Sequence, residues 1–112
     1  MGANLDRLRE ICLALPEAAE QTTWDEPTMR VRGKIFAFAG DESVTFKADP
    51  EERTALLADE RFFVPAYVGT KGWVGLRLGD DVDWAEVSEL IATSYRLIAP
   101  KRLAARLDAG DG

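Results

Sequence analysis

An α+β domain is predicted for this chain, with an antiparallel sheet covered by helices on one face. Three observations lead there. Segments with helical apolar spacing alternate with segments of period two. Short glycine-containing turns of hairpin type join the period-two segments. The 112 residues, 46% apolar and 30% charged, suit one hydrophobic core and not two. Residues 1–112 are therefore read as a single domain, with the core over about 5–98, a short basic helix at 101–107 and a polar tail at 108–112.

The first helix is predicted over about 5–14. Leu5, Leu8, Ile11, Cys12 and Leu15 form one apolar stripe, Asn4 stands where a cap belongs, and Pro16 ends the run. Cys12 lies on the stripe and reads as a small core residue. From Thr28 the period drops to two. Thr28 to Arg32 and Ile35 to Ala39 read as a hairpin turning at Gly33-Lys34, with glycine in the first position of a type II′ turn. That register sends Met29, Val31, Phe36 and Phe38 to the core and Thr28, Arg30, Arg32, Ile35, Ala37 and Ala39 to the other side. Gly40-Asp41-Glu42 is a second turn. Ser43 to Lys47 then returns with Val44 and Phe46 inward, Thr45 and Lys47 outward.

Asp49-Pro50-Glu51-Glu52 is a strong helix start, since a carboxylate cap, proline at the first position and early acids all suit the orphan amides. This second helix runs to about Ala58. A short edge strand is expected within Arg61 to Val68, interrupted by Pro65. After the turn Gly69-Thr70-Lys71-Gly72, residues Trp73 to Leu78 form a strand with Val74, Leu76 and Leu78 inward and Trp73 and Arg77 outward. Asp83-Trp84-Ala85-Glu86 opens a third helix that reaches about Leu97, and the basic segment from Lys101 to Leu107 follows Pro100.

Composition removes whole classes of chemistry. With no histidine and one cysteine, the chain has no His-based catalytic triad, no HExxH zinc site, no internal disulfide and no Cys-rich cluster. Phosphate-loop and dinucleotide fingerprints are absent as well. No enzyme activity and no cofactor are expected. No apolar run nears the roughly 20 residues of a membrane span, and the N-terminus has no signal-like segment, so a cytoplasmic protein without a membrane partner is expected. A monomer is the expected state.

The net charge of −6, from 14 basic and 20 acidic residues, weighs against nucleic-acid binding when read as one number. Its distribution reads differently. Residues 27–40 hold three cations and no acid, and residues 64–78 hold two cations and no acid, whereas the flanking segments are acidic. Both acid-free stretches fall on predicted strands. If helices cover the side carrying Val31, Phe36 and Val44, the other side displays Arg30, Arg32, Lys47 and Arg77 with Trp73 and Thr45 among them. Cations suit phosphates, and an aromatic plane can stack on a base. Solubility and cross-strand pairing would also account for such residues.

Leu15-Pro16-Glu17-Ala18, Trp24, Pro27, Val31 to Ala37, Lys47-Ala48-Asp49-Pro50, Gly72-Trp73-Val74 and Ser94-Tyr95, in this order and spacing, resemble the MmcQ/YjbR-like family of small bacterial proteins over about residues 5–98. The resemblance implies a CyaY-like fold and a proposed nucleic-acid surface with two wings. Onto this chain the wings fall at Arg32-Gly33-Lys34 and Gly69-Thr70-Lys71-Gly72. The resemblance carries over no catalytic residue.

The expected nucleic-acid-binding set is therefore Arg30, Arg32, Lys34, Lys47, Lys71, Trp73 and Arg77, with DNA or another nucleic acid as partner. An alternative is a protein- or small-ligand-binding module that uses Trp24, Tyr67 and Trp73. Gly69-Thr70-Lys71-Gly72 also matches a GxxG clamp, although a plain turn explains it better. Asp80, Asp81 and Asp83 could hold a hard cation, yet turn and cap chemistry fits them better and no metal is expected.

Overall fold

The computed structural model describes residues 2–23, 25–66 and 72–109. Among them the order is α1 (Ala3–Leu13), β1 (Ala18–Thr23), β2 (Glu26–Val31), β3 (Lys34–Ala39), β4 (Ser43–Lys47), α2 (Pro50–Leu57), β5 (Phe62–Phe63), β6 (Trp73–Arg77), α3 (Trp84–Ile98) and α4 (Lys101–Asp108). The strands form one antiparallel sheet in the order β1-β2-β3-β4-β6-β5. Leu8 and Cys12 of α1, Val87, Ile91 and Tyr95 of α3, and Leu103 of α4 share one core with Met29, Val31, Phe46, Val74 and Leu76 of the sheet. This is the α+β architecture expected, with the core on one side of the sheet.

Helix starts follow local chemistry. The Asp49 carboxylate accepts from the Glu51 N–H at 3.0 Å, and Pro50 fills the first turn of α2. Asp83 accepts from the N–H groups of Ala85 and Glu86 at 3.1 and 3.2 Å and so opens α3. The start of α1 differs from expectation. Asn4 lies inside the helix, and the orphan amides are met from a distant turn: Asp41 Oδ1 accepts from the N–H of Asn4 at 3.1 Å and of Leu5 at 3.3 Å. These backbone donors, that of Leu5 foremost, hold the Asp41 carboxyl below its usual range.

The sheet contains a strand that the sequence pattern does not announce. β1 carries Ala18, Ala19, Glu20, Gln21, Thr22 and Thr23 and pairs along its whole length with β2, from Ala18↔Val31 to Thr23↔Glu26. At the other end of the polypeptide order, the expected edge strand shrinks to Phe62–Phe63, short of Pro65.

The first hairpin turns one residue earlier than expected. Val31 pairs with Lys34, so the turn residues are Arg32 and Gly33, at φ 52° and 80°. Positive φ at both positions is the type I′ pattern, in place of the II′ turn expected at Gly33-Lys34; both types match the twist of a two-residue hairpin, and here glycine takes the second turn position. A bulge follows. Arg30 pairs with Ile35 and Met29 with Ala37, which leaves Phe36 as the extra residue on β3. Phe36 and Ala37 therefore both belong to the core, while Ile35 and Phe38 pair with Arg30 and Thr28 on the side away from the helices. Strict alternation placed Phe38 inside and Ala37 and Ala39 outside; the bulge reverses all three.

Beyond the bulge the Phe36 carbonyl and the Lys47 N–H are joined through a helix residue. Buried Ser94 of α3 donates to Phe36 O at 2.6 Å and accepts from Lys47 N at 2.9 Å. One hydroxyl thus ties α3 to both central strands. Next to it, Tyr95 is fully buried, meets Phe36 edge to face at 5.4 Å, and donates to the Pro16 carbonyl at 2.6 Å.

Candidate nucleic-acid interface

On the side of the sheet away from the helices, paired residues line up in rows because partners across an antiparallel ladder share a face. Arg30 pairs with Ile35 on β2 and β3, and Lys47 pairs with Trp73 on β4 and β6. One row runs Gln21, Thr28, Phe38, Thr45, Gly75 and Phe63 across the whole sheet. Arg77 pairs with Ser43 at the far end. By the same register Glu26 lies on this side near the β1–β2 connection.

The cations here are held by neutral groups. The Arg30 guanidinium donates to Thr28 Oγ1 at 3.2 Å, Thr23 Oγ1 at 3.0 Å and the Gly33 carbonyl at 3.1 Å. Arg77 donates to the Glu60 carbonyl at 3.0 Å and lies over the Phe63 ring at 4.8 Å. Among the described residues, none of Arg30, Lys47 and Arg77 forms an ion pair. Six other arginines are paired: Arg7 with Glu10, Arg9 with Glu20, Arg32 and Arg106 with Glu17, Arg61 with Asp59 and Glu86, Arg96 with Asp108. The difference leaves uncompensated positive charge on this face.

Three of the expected residues thus share the face with Trp73, and Arg32 and Lys34 do not. Arg32 is a turn residue, and its guanidinium is clamped to Glu17 at 2.7 and 3.1 Å. That pairing corrects the expectation of an outward, unscreened Arg32; the type I′ turn removes it from the strand. Lys34 is exposed, but it pairs with Val31 and so by register falls on the helix side of the hairpin end. Lys71 lies outside the described residues, as do Trp24 and Tyr67. Trp73 is not the open plane expected, for it is only 9% exposed and meets Phe38 at 5.5 Å between centroids.

Phe38 and Phe63 were missed as components of this face. Gly75 was the available signal for Phe63, since glycine inside a strand marks close approach. A Cβ at Gly75 would stand 2.3–2.7 Å from three atoms of the Phe63 ring.

A cavity of about 420 Å³ opens beside Arg77, lined among others by Glu60, Arg61, Asp80, Asp81, Asp83 and Glu86. Its acidic lining suits no phosphate. Among the described residues no group of three His, Cys, Asp or Glu side chains is placed to hold a metal ion. Cys12 behaves as a core residue: burial first, and then the charge of Glu20, push its thiol up to about 12. In the folded protein at neutral pH it should resist a thiol-specific reagent and react once urea unfolds the chain; stoichiometric labelling under native conditions would contradict this.

Among the described residues, four helices and one six-stranded antiparallel sheet define an α+β domain. A family model described as YjbR matches residues 13–97, and the chain belongs to the YjbR family. The fold is similar to the crystal structure of Deinococcus radiodurans protein DR2400, which carries the family domain DUF419. Identity is 24%, the TM-score is 0.74, and 84% of this chain and 77% of that chain are covered. No curated protein matches. Among the described residues no helix is long and apolar enough to cross a membrane.

Proposed function

We propose that this YjbR-family chain is a non-catalytic domain that binds nucleic acid weakly, through the sheet side that carries Arg30, Lys47 and Arg77. The observation that carries the reading is that Arg30, Lys47 and Arg77 share one side of the sheet with no carboxylate partner among the described residues, while Arg7, Arg9, Arg32, Arg61, Arg96 and Arg106 are ion-paired. Phosphate oxygens would supply the missing counter-charge. Phe38 and Trp73 form the apolar floor between the cations, and Trp73 serves as a reporter more than as a stacking plane.

Contacts of this kind give affinities on the order of 10⁻⁴ to 10⁻⁶ M at physiological salt, with little sequence preference. The Arg30→Ala/Lys47→Ala double variant should lower the salt slope of binding to DNA or RNA oligonucleotides by about two and weaken binding alike for all sequences. Arg96→Ala, which removes an ion-paired arginine, should change neither. Trp73 fluorescence titrated at two ionic strengths provides the measurement. A folded double variant with unchanged affinity and slope would overturn the assignment.

A further inference from the structure

A second concentration of positive charge stands at the end of the β1–β2 ladder. Glu17 immediately precedes the first pair of that ladder, Ala18↔Val31, and Arg32 immediately follows it. Both residues adopt left-handed backbone, at φ 56° and 52°, although neither is glycine. Such conformations in non-glycine residues gather at ligand-binding and switching positions. The two side chains meet in a fork, Arg32 Nε and Nη2 donating to the two oxygens of Glu17 at 2.7 and 3.1 Å.

α4 adds two more guanidiniums. Leu103 is 1% exposed within the core, and Leu107 packs against it, which fixes the rotation of the helix. Arg102 and Arg106 are one turn apart on another side of that helix. Arg106 Nη1 stands 3.8 Å from Glu17 Oε2. Arg102 has no hydrogen bond or ion pair among the described residues, yet it is close enough to help Arg32 and Arg106 hold the Glu17 carboxyl below its usual range. Glu17 therefore stays ionised at neutral pH. Arg32 and Arg106 stand at the Glu17 carboxylate and Arg102 lies one turn from Arg106 on the same helix, so the cluster of three guanidiniums and one carboxylate carries a net charge of +2. The nearest acid on α4, Asp108, is engaged by Arg96 at 2.7 Å. Arg32, Arg106 and Glu17 keep between two-fifths and one-half of their side-chain surface in solvent, so an anion can reach them.

We propose that Arg32, Arg102 and Arg106 form a phosphate-binding site, in which the Glu17 carboxylate occupies, in the unliganded protein, the place that a phosphate group takes. The fork that Arg32 offers to a carboxylate fits two phosphate oxygens equally well, and the dianion of a terminal phosphate compensates the remaining charge. On binding, Glu17 swings out to solvent and the two α4 arginines close on the ligand. The site is separate from the sheet-face reading and does not rest on it: Arg102 and Arg106 lie beyond residues 13–97, the segment matched to the family.

Inorganic phosphate is the first probe. It is titrated into the full chain at constant ionic strength against chloride, with the backbone amides of residues 17 and 32 and the arginine side-chain signals followed by nuclear magnetic resonance. Saturable shifts at these positions are expected. Glu17→Gln, which removes the competing charge and keeps the shape, should tighten binding several fold, and Arg102→Ala/Arg106→Ala should abolish saturation. Oligonucleotides with and without a 5′-phosphate separate the sources. Competition by both forms assigns the site to a nucleic-acid backbone; competition by the phosphorylated form alone assigns it to terminal or free phosphate. Lys47→Ala should weaken oligonucleotides at the sheet face and leave phosphate untouched, so the two proposals fail independently. Shifts that rise linearly, or that chloride reproduces, or weaker phosphate binding by a folded Glu17→Gln protein, would overturn the site.

Discussion

Tyr95→Ala should lower the free energy of unfolding by about 3–5 kcal/mol, the range for deleting a large buried aromatic side chain. Tyr95 is fully buried on α3 and meets Phe36 at 5.4 Å, so truncation leaves a cavity between helix and sheet at the point where the bulge forces an extra side chain inward. Tyr95→Phe keeps the packing and removes one bond, that to Pro16 O at 2.6 Å. It should cost about 1–2 kcal/mol, since the buried carbonyl of Pro16 then lacks its partner. Urea denaturation of the three proteins gives both numbers. An Ala variant within about 1 kcal/mol of the parent would show that the site collapses or that Tyr95 is not part of the core.

Ser94→Ala should cost nearly as much, about 2–4 kcal/mol, although it deletes a single oxygen. The hydroxyl serves two backbone groups, Phe36 O and Lys47 N, and each loses its partner at roughly 1–3 kcal/mol. No water has ready access, for Ser94 is 0% exposed. Hydrogen exchange at Lys47 supplies a local measurement: its amide should exchange much faster in the variant relative to that of Phe46. Equal protection of Lys47 in both proteins would mean that the β3–β4 ladder closes without the helix. The effect bears on binding too, because Lys47 leaves the sheet from this residue.

What the sequence made legible was local. Asp49-Pro50 and Asp83 announce helix starts through side-chain chemistry within three residues, and the structure finds both caps in place. Ser43 to Lys47 alternates cleanly and coincides with β4. β1 was illegible because Ala18 to Thr23 carries no bulky alternating residues; pairing to β2 makes it a strand, and pairing is a long-range fact. The bulge was illegible because Ile35 to Ala39 is apolar at every position, so no polar residue marks which side faces out. The short step between Val31 and Lys34 was equally hidden, since an arginine at positive φ is uncommon.

The site divides in the same way. Lys47 and Arg77 follow from alternation on strands without bulges, and both share the predicted side. Arg32 fails because its fate depends on Glu17, fifteen positions earlier, and on a helix seventy positions later. A count of charges along the chain sees acid-free stretches, whereas ion pairing is decided in space. Thus the three cations on bulge-free or neutral-partnered positions stay uncompensated, and the one nearest an acidic loop does not.

The seating of α4 changes what counts as this domain. Residues 13–97 satisfy the family pattern, yet Leu103 sits at 1% exposure in the same core as Ile91 and Tyr95. A chain ended at residue 97 would keep α1 and every strand and lose the plug from a greasy socket, which water or a neighbouring molecule would then have to fill. Sticky, loosened protein from such a trimmed gene would report on the missing helix and say nothing of the family fold itself.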